Sequence, residues 1–304
     1  MPIIIGDRAD PHVRAVADRL SCPATILDAA AMARVPFTIT ETDFVLDGNT
    51  VAACPRRGWV RRLAPAGWTA PIRDGSLQGA SQAAWLTALA SIVRDDGTEW
   101  LSSIDAIAAA ENKPLQYRRA AWAGVRVPEW MVTTDYAAIP RGRGWVTKPL
   151  GPGHFVEGGE DRIVPTTLLT DGQRSALTAA PFIIQRYVQA VRHARVVTVG
   201  EQSFSATLDG SDRPLDWRTD ADAHLAFTAT AAPAEVHTAA VAAAAANNVG
   251  YSSQDWILDV DGVWWFVDLN PAGQWLFLPA VVADGVSAAL AAWLADDTDQ
   301  RKQP

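Results

Sequence analysis

Lysine is nearly missing from this chain. Of 26 basic residues only Lys113, Lys148 and Lys302 are lysines, and arginine carries the rest. A GC-rich coding bias is the bland reading of that usage. It also makes each retained lysine informative, because a compact ammonium does work that a forked guanidinium does less well. Cysteine is scarce too. Cys22 and Cys54 are too few for a disulfide framework and lack zinc-site spacing. No run approaches 18 consecutive apolar residues, and the apolar start at residues 2–5 is too short for a signal peptide. These absences predict a soluble, cytoplasmic protein in a reducing compartment. Positive charge is in deficit as well: the net charge of −8 argues against nucleic acid or a membrane surface as partner. The five histidines lack metal-ligand spacing, and neither Gly-x-Ser-x-Gly nor a Cys/His pair supplies a nucleophile.

What is present fits a globular protein of two or three domains: 304 residues, 49% hydrophobic and 20% charged. A strand at 3–5, a helix from Pro11 to about Leu20, strands near 37–40, 44–46 and 58–63, and a helix over 80–93 alternate as in a small open α/β unit. The pattern then predicts a helix over 105–124 closed by Gly124. Strands follow at 145–150, 162–164 and 181–185, with a glycine-rich loop through Gly151, Gly153, Gly158 and Gly159. A hairpin over 194–208, an alanine-rich helix from Pro233 to Asn247, a second hairpin over 255–270 and an amphipathic helix bearing Val286, Leu290 and Leu294 complete the chain.

Asp261-Gly262 between two apolar runs is the preferred two-residue hairpin loop. That register sets Asp255 opposite Asp268, with Asn270, Ile257, Trp264 and Phe266 on the same face. Two opposed carboxylates call for a cation between them, and carboxylate plus amide oxygens with room for water and phosphate suit Mg²⁺. A solvated acidic face is the competing reading. A three-residue loop would pair Asp255 with Val267 instead and dissolve the site. Lys113 and Lys148 each stand at an element junction before Pro-Leu, and Lys148 leads into the glycine-rich loop, a placement that points to phosphate contact, although either lysine alone reads first as an exposed surface residue.

Together these elements resemble the ATP-grasp superfamily, and within it the peptide maturases that make graspetides, the microviridin-type ω-ester and ω-amide macrocycles. The resemblance spans nearly the whole chain. It rests on Ile-Ile-Ile-Gly-Asp-Arg-Ala-Asp-Pro-His-Val at the start, Trp59-Val-Arg61-Arg62, Asn112-Lys113-Pro-Leu-Gln116 and Val146-Thr-Lys148-Pro. It continues through Ile184-Gln185-Arg186-Tyr187-Val188, Arg195-Val-Val-Thr-Val-Gly200 and Asp216-Trp217-Arg218. The most specific match is Val267-Asp268-Leu-Asn270-Pro-Ala-Gly273-Gln274-Trp275. Asp268 stands where that family has glutamate, Arg186 where its hinge has glutamate, and His193 where an acidic residue is common.

The resemblance implies an ATP-grasp fold of mixed α/β (α+β) class. An N-terminal pre-ATP-grasp α/β domain would cover 1–104, a central α+β domain 105–188 and a C-terminal antiparallel-sheet domain 189–304. It implies ATP and Mg²⁺ as cofactors. Lys113 and Lys148 would contact phosphates, and the hinge Gln185, Arg186, Tyr187 and Val188 would hold adenine through backbone groups of Arg186 and Val188. Asp255, Asp268 and Asn270 would bind metal, and Arg195 and Arg218 would steady the phosphoryl group, with Asn270 also in the catalytic set. The implied reaction activates Asp or Glu side chains of a ribosomal precursor peptide as acyl phosphates and closes rings with Ser, Thr or Lys. Arg61, Arg62, Arg195 and Arg218 would line a cleft for the acidic core, and the leader would dock near 150–190. A homodimer is the expected assembly. Two alternatives remain at this point: a ligase joining a free amino acid, amine or peptide to a carboxylate, and a nucleotide-binding module without turnover.

Overall fold

Short apolar strands in the first hundred residues pair in parallel, as strands separated by helices do. The computed structural model describes residues 1–41, 43–50, 56–64, 75–141, 144–151, 154–157, 160–170, 180–220 and 222–296, with backbone alone at 56, 154–157 and 161–163. β1 (Ile3–Ile5), α1 (Pro11–Ala17), β2 (Thr25–Leu27) and α2 (Ala29–Met32) come first. A small antiparallel sheet follows: β3 (Phe37–Ile39), β4 (Phe44–Leu46) and β5 (Asn49–Thr50). β6 (Arg56–Val60), α3 (Leu77–Ile92), β7 (Thr98–Trp100) and α4 (Ile104–Ala110) complete this part. The parallel sheet has the order β2-β1-β6-β7. Cys54 and Lys302 lie outside the described residues.

The helix expected over 105–124 is two helices. α5 (Lys113–Trp122) restarts after Asn112, whose side chain accepts the Leu115 N–H at 3.1 Å. Pro114 has no N–H, and its ring would collide with the preceding turn, so one unbroken helix is excluded. The break puts Lys113 at the head of α5.

The central strands are β8 (Trp130–Thr133), β9 (Trp145–Pro149), β10 (His154–Glu157), β11 (Glu160–Ile163), β12 (Thr167–Leu168) and β13 (Phe182–Arg186). Four of them form an antiparallel sheet in the order β12-β9-β13-β8. The expected glycine-rich loop is largely a hairpin, because β10 pairs with β11. Gly153, Gly158 and Gly159 lie outside the described residues.

β14 (Arg192–Val199), β15 (Gln202–Asp209), α6 (Ala234–Ala246), β16 (Tyr251–Leu258), β17 (Trp264–Asn270) and α7 (Ala280–Ala295) form the last part, with sheet order β15-β14-β16-β17. Alternation along β14 splits its side chains between two cores. Ala194 and Val196 join Val236 and Ala240 of α6, while Val197 and Val199 join Val286 and Leu290 of α7.

The hairpin between β16 and β17 departs from the expected turn. Its loop has three residues, Val260-Asp261-Gly262, with Gly262 at φ +78°. The Asp259 N–H donates to the Val263 carbonyl at 3.0 Å, and the Asp259 carboxylate accepts from the Asp261 N–H, the Val263 N–H and the Trp265 indole at 2.7–3.0 Å. That loop shifts the pairing by one, so Trp256 meets Phe266 rather than Val267. An irregularity between Asp255 and Trp256 leaves Val267 as an extra residue and restores Asp255 opposite Asp268. Two departures therefore cancel at the carboxylates. They do not cancel nearer the loop: Trp264 and Phe266, expected beside the aspartates, lie on the opposite face, with the Trp256 and Phe266 rings 5.6 Å apart.

The N-terminal sheet shares one core with α7, in which Ile4, Val13, Val16 and Trp59 meet Trp275, Val286 and Leu290. A buried polar knot sits beside it. Asp10 caps α1 through the His12 N–H at 2.7 Å, pairs with the His12 ring at 3.0 Å and meets Arg61 Nε at 3.2 Å. Arg61 also donates to the Ala272 carbonyl, and the Trp275 N–H donates to His12 Nε2 at 3.4 Å. Arg61 is thus buried and committed rather than lining a cleft, while Arg62 beside it is exposed.

Burial alone would raise the Asp10 pKa, but His12 and Arg61 outweigh it and bring the carboxyl down to about 2. A depressed carboxyl stabilises the fold above its unfolded pKa, and that contribution fades as pH falls through the folded value. Asp10→Asn keeps the cap but loses the charge. It should cost about 2 kcal/mol in urea denaturation at pH 7, with the gap from the native chain narrowing between about pH 4 and pH 2.

Candidate nucleotide and metal site

Cross-strand pairing lines up three charged residues on one face of the C-terminal sheet. Arg195 on β14 pairs with Asp255 on β16, which pairs with Asp268 on β17. Paired residues share a face, so the three form a row. Arg195 Nη1 donates to Asp255 Oδ1 at 2.8 Å. Lys113 reaches over from α5 and donates to Asp268. Asn270, two residues beyond Asp268, lies on the same face opposite Ser253, and its Oδ1 accepts the Ala272 N–H at 2.9 Å. Burial would raise the Asp268 pKa, and the charges of Lys113, Lys148 and Arg218 more than offset it, so the carboxyl stays below its usual value.

Lys148 comes from the opposite side, at the end of β9. Its ammonium donates to the Val267 carbonyl at 3.3 Å and lies 6.0 Å from the centre of the Tyr117 ring. The Tyr117 hydroxyl donates to the same carbonyl at 3.0 Å. The extra residue of the irregular β17 therefore turns its oxygen to Lys148 and Tyr117. Burial pulls the Lys148 ammonium down to about 8, against the attraction of Asp268.

Gln116 fixes this part of β17. Its amide donates to the Leu269 carbonyl at 2.7 Å and accepts the Leu269 N–H at 2.9 Å, in the manner of a neighbouring strand. β17 is the edge of its sheet, and α5 supplies the hydrogen bonds an edge would leave open. Lys113, Gln116 and Tyr117 thus reach β17 from a single helix.

Arg218 meets neither carboxylate of the row. It forks onto Asp216, with Nε at 2.8 Å and Nη2 at 2.6 Å, and that pairing raises its pKa. At the hinge, the Arg186 N–H donates to Glu129 at 2.7 Å and the Tyr187 N–H to Gly144 at 2.9 Å. Both are spent on the backbone. Val188 offers a free N–H among the described residues, and the buried Gln185 Nε2 has no partner. Open polar groups of that kind are where a base would bind.

The donor set suits a hard cation: two carboxylates and an amide oxygen on one face, with cations around them for phosphate. Among the described residues no cluster of three or more His, Cys, Asp or Glu forms a metal cage. A Mg²⁺ ion here would complete its shell with water and phosphate oxygens. Sequence reasoning missed the fork at Asp216, the knot of Asp10, His12 and Arg61, and Tyr117. Asp216 and Gln116 were within reach of it, since both lie inside the quoted motifs.

The role of Gln116 is open to direct measurement. Gln116→Leu keeps the volume but strands the Leu269 N–H and carbonyl in a buried place. Unfolding should then need about 2–4 kcal/mol less, as read by urea denaturation. A loss below 1 kcal/mol would mean that β17 does not depend on this side chain.

No family model matches the chain, and no curated protein matches it. Solved structures do. A RiPP-associated ATP-grasp ligase of Chryseobacterium gregarium, in complex with ADP and a leader and core peptide, is similar at TM-score 0.83 and 18% identity, covering 100% of this chain and 97% of that one. The macrocyclase MdnC of Microcystis aeruginosa MRC, bound with precursor peptide MdnA, gives 0.80 and 17%, with 98% and 100% covered. The ATP-grasp ligase PsnB with minimal precursor, Mg and ADP gives 0.74 and 20%, with 97% and 98% covered. From end to end, the chain has the fold of these ATP-grasp ligases.

Proposed function

We propose that this protein is an ATP-dependent, ADP-forming ligase that cyclises a ribosomal precursor peptide through ester or amide bonds. The reading is carried by one observation: Asp255 and Asp268 lie side by side within reach of Lys113, Lys148 and Arg195. Support comes also from the fold neighbours, two of them in complex with ADP and peptide and one bound with precursor peptide.

Under this reading Lys113 and Lys148 hold phosphate oxygens, and Val188 and Gln185 meet the adenine edge. Asp255, Asp268 and Asn270 hold Mg²⁺, which when bound neutralises phosphate charge. A peptide carboxylate oxygen attacks the γ-phosphorus, the bond to the β-phosphate oxygen breaks, and ADP leaves. The resulting acyl phosphate has an electrophilic carbon where the free anion had none. A Ser or Thr hydroxyl or a Lys amine attacks that carbon, inorganic phosphate departs, and the nucleophile gives up its proton. Arg195 and Arg218 balance negative charge during transfer, and exposed Arg62 offers a guanidinium to the acidic core. Cytoplasmic location, a homodimer, the domain limits 1–104, 105–188 and 189–304, and leader docking near 150–190 belong to the same proposal. Among the described residues no helix is long and apolar enough to cross a membrane.

The test first seeks a small open reading frame beside this gene that encodes a peptide with repeated Thr and Glu or Asp, and uses that peptide as substrate. Incubation with ATP and Mg²⁺ should release ADP and lower the peptide mass by one water per ring. Asp255→Ala and Asp268→Ala should each abolish the mass loss. Dehydration that persists in both variants would remove the metal assignment, and ADP release without any mass change would remove the cyclase reading.

A further inference from the structure

Asp216 is buried, yet it holds an arginine whose side chain is 51% exposed. It opens a 3-10 turn, Trp217–Thr219, and its carboxylate has four donors. Oδ1 accepts from Arg218 Nε at 2.8 Å and the Arg218 N–H at 3.3 Å. Oδ2 accepts from Arg218 Nη2 at 2.6 Å and from the Thr166 N–H at 3.0 Å. The last donor lies in the segment that leads into the central sheet. Thr166 adjoins β12, where Thr167 pairs with Thr147 and the two hydroxyls are hydrogen-bonded at 2.9 Å. Thr147 precedes Lys148. One carboxylate therefore links the strand that presents Lys148 to the guanidinium of Arg218.

The turn itself is pinned. Trp217 is buried against Phe227 and Phe277, with ring centres 5.2 and 6.3 Å away, and Phe277 also lies 5.7 Å from the Arg195 guanidinium. With Nε and Nη2 bound to Asp216, Arg218 keeps Nη1 without a protein partner among the described residues. A forked, charge-assisted pair fixes the plane of the guanidinium as well as its position. Moving β12 away would take the Thr166 N–H from Oδ2, and among the four donors it is the one that ties the carboxylate to the central strands.

We propose that Asp216 is a positioning residue that makes the aim of Arg218 depend on the central sheet being seated. The proposal rests on the nucleotide reading of Arg218. Asp216 itself touches no reacting atom. A coupling claim of this kind needs evidence from paired substitutions rather than from proximity.

The test compares the full chain with Asp216→Ala, Arg218→Ala, Arg218→Lys and the Asp216→Ala/Arg218→Ala double variant. Two readouts are taken: amide hydrogen exchange at Thr166, and binding of Mg-AMPPNP by calorimetry. Thr166 should exchange about tenfold faster or more in Asp216→Ala, while β14 amides keep their protection and report an intact fold. In Arg218→Lys the Thr166 amide should stay protected, because its acceptor remains. Asp216→Ala and Arg218→Ala should each weaken Mg-AMPPNP about tenfold, and the double variant should be no weaker than either, since both remove the same placed guanidinium. Additive losses of about a hundredfold, or unchanged exchange at Thr166, would overturn the proposal. If Asp216→Ala does not fold, Asp216→Asn serves: one acceptor oxygen cannot satisfy both the fork and Thr166. Failure of the native chain to bind Mg-AMPPNP would overturn the nucleotide reading instead, and Thr166 exchange would still decide the link.

Discussion

Asp255 and Asp268 are held at cross-strand distance on adjacent strands, and everything near them answers that repulsion. Two unit charges about 5 Å apart repel by about 3 kcal/mol at an effective dielectric near 20. The protein offsets this with cations from two other elements, Arg195 from β14 and Lys113 from α5. Sheet register makes this exacting. A slip of one residue would turn one carboxylate to the other face, into the apolar core of Trp256 and Phe266.

Keeping that register is the task of the surroundings. β17 is an edge strand, and Gln116 and Tyr117 take the backbone groups that would otherwise lie open. Beyond it, the segment from Asn270 to Trp275 is held on both sides. Arg61 and His12 hold it from the N-terminal part, and the Tyr251 hydroxyl donates to the Gly273 carbonyl at 2.8 Å. Gly273 is required by contact, since a Cβ there would lie 2.4 Å from the Ser253 Cβ. The N-terminal sheet thus bears on the segment after β17 through Arg61 as well as through a shared apolar core.

Much of this is legible in the residues alone, and the exceptions have physical causes. Period-two and period-3.6 patterns give most elements because each buries one face. Pro114 also reveals the break between α4 and α5 once its missing N–H is weighed against the longer apolar pattern. The hairpin is the instructive case. Asp-Gly marks a turn, but Asp259, three residues before Gly262, sets its length by accepting three donors, and local pattern reading passes over it. The irregularity at Val267 has no local signature; its oxygen is claimed by Lys148 and Tyr117, both far away in sequence. The pairing of Asp255 with Asp268 is therefore right for a reason the turn does not contain. Arg61 and Arg62 look alike in sequence, and only the position of Asp10 separates a buried strut from an exposed guanidinium.

The scarcity of lysine acquires a physical sense at the site. Arginine appears where a charge is fixed by a fork or a buried pair: Arg218 on Asp216, Arg195 on Asp255, Arg61 on Asp10. Under the proposed function, both lysines of the described chain stand where the partner changes when nucleotide binds. Lys113 holds Asp268 through a single flexible ammonium, which can exchange a carboxylate for a phosphate oxygen without breaking a planar fork. Lys148 has a backbone carbonyl and a ring face for company, and burial has drawn its pKa down to about 8. Asp268 and Asp255 favour its charge only in part, and an incoming phosphate would stabilise the charged form further. Under the proposed function the resting site is thus charge-balanced at the carboxylates and under-balanced at Lys148. Triphosphate entering with Mg²⁺ would bring negative charge to Lys148, and the metal would take the place of Lys113 at Asp268 as that lysine turned to phosphate.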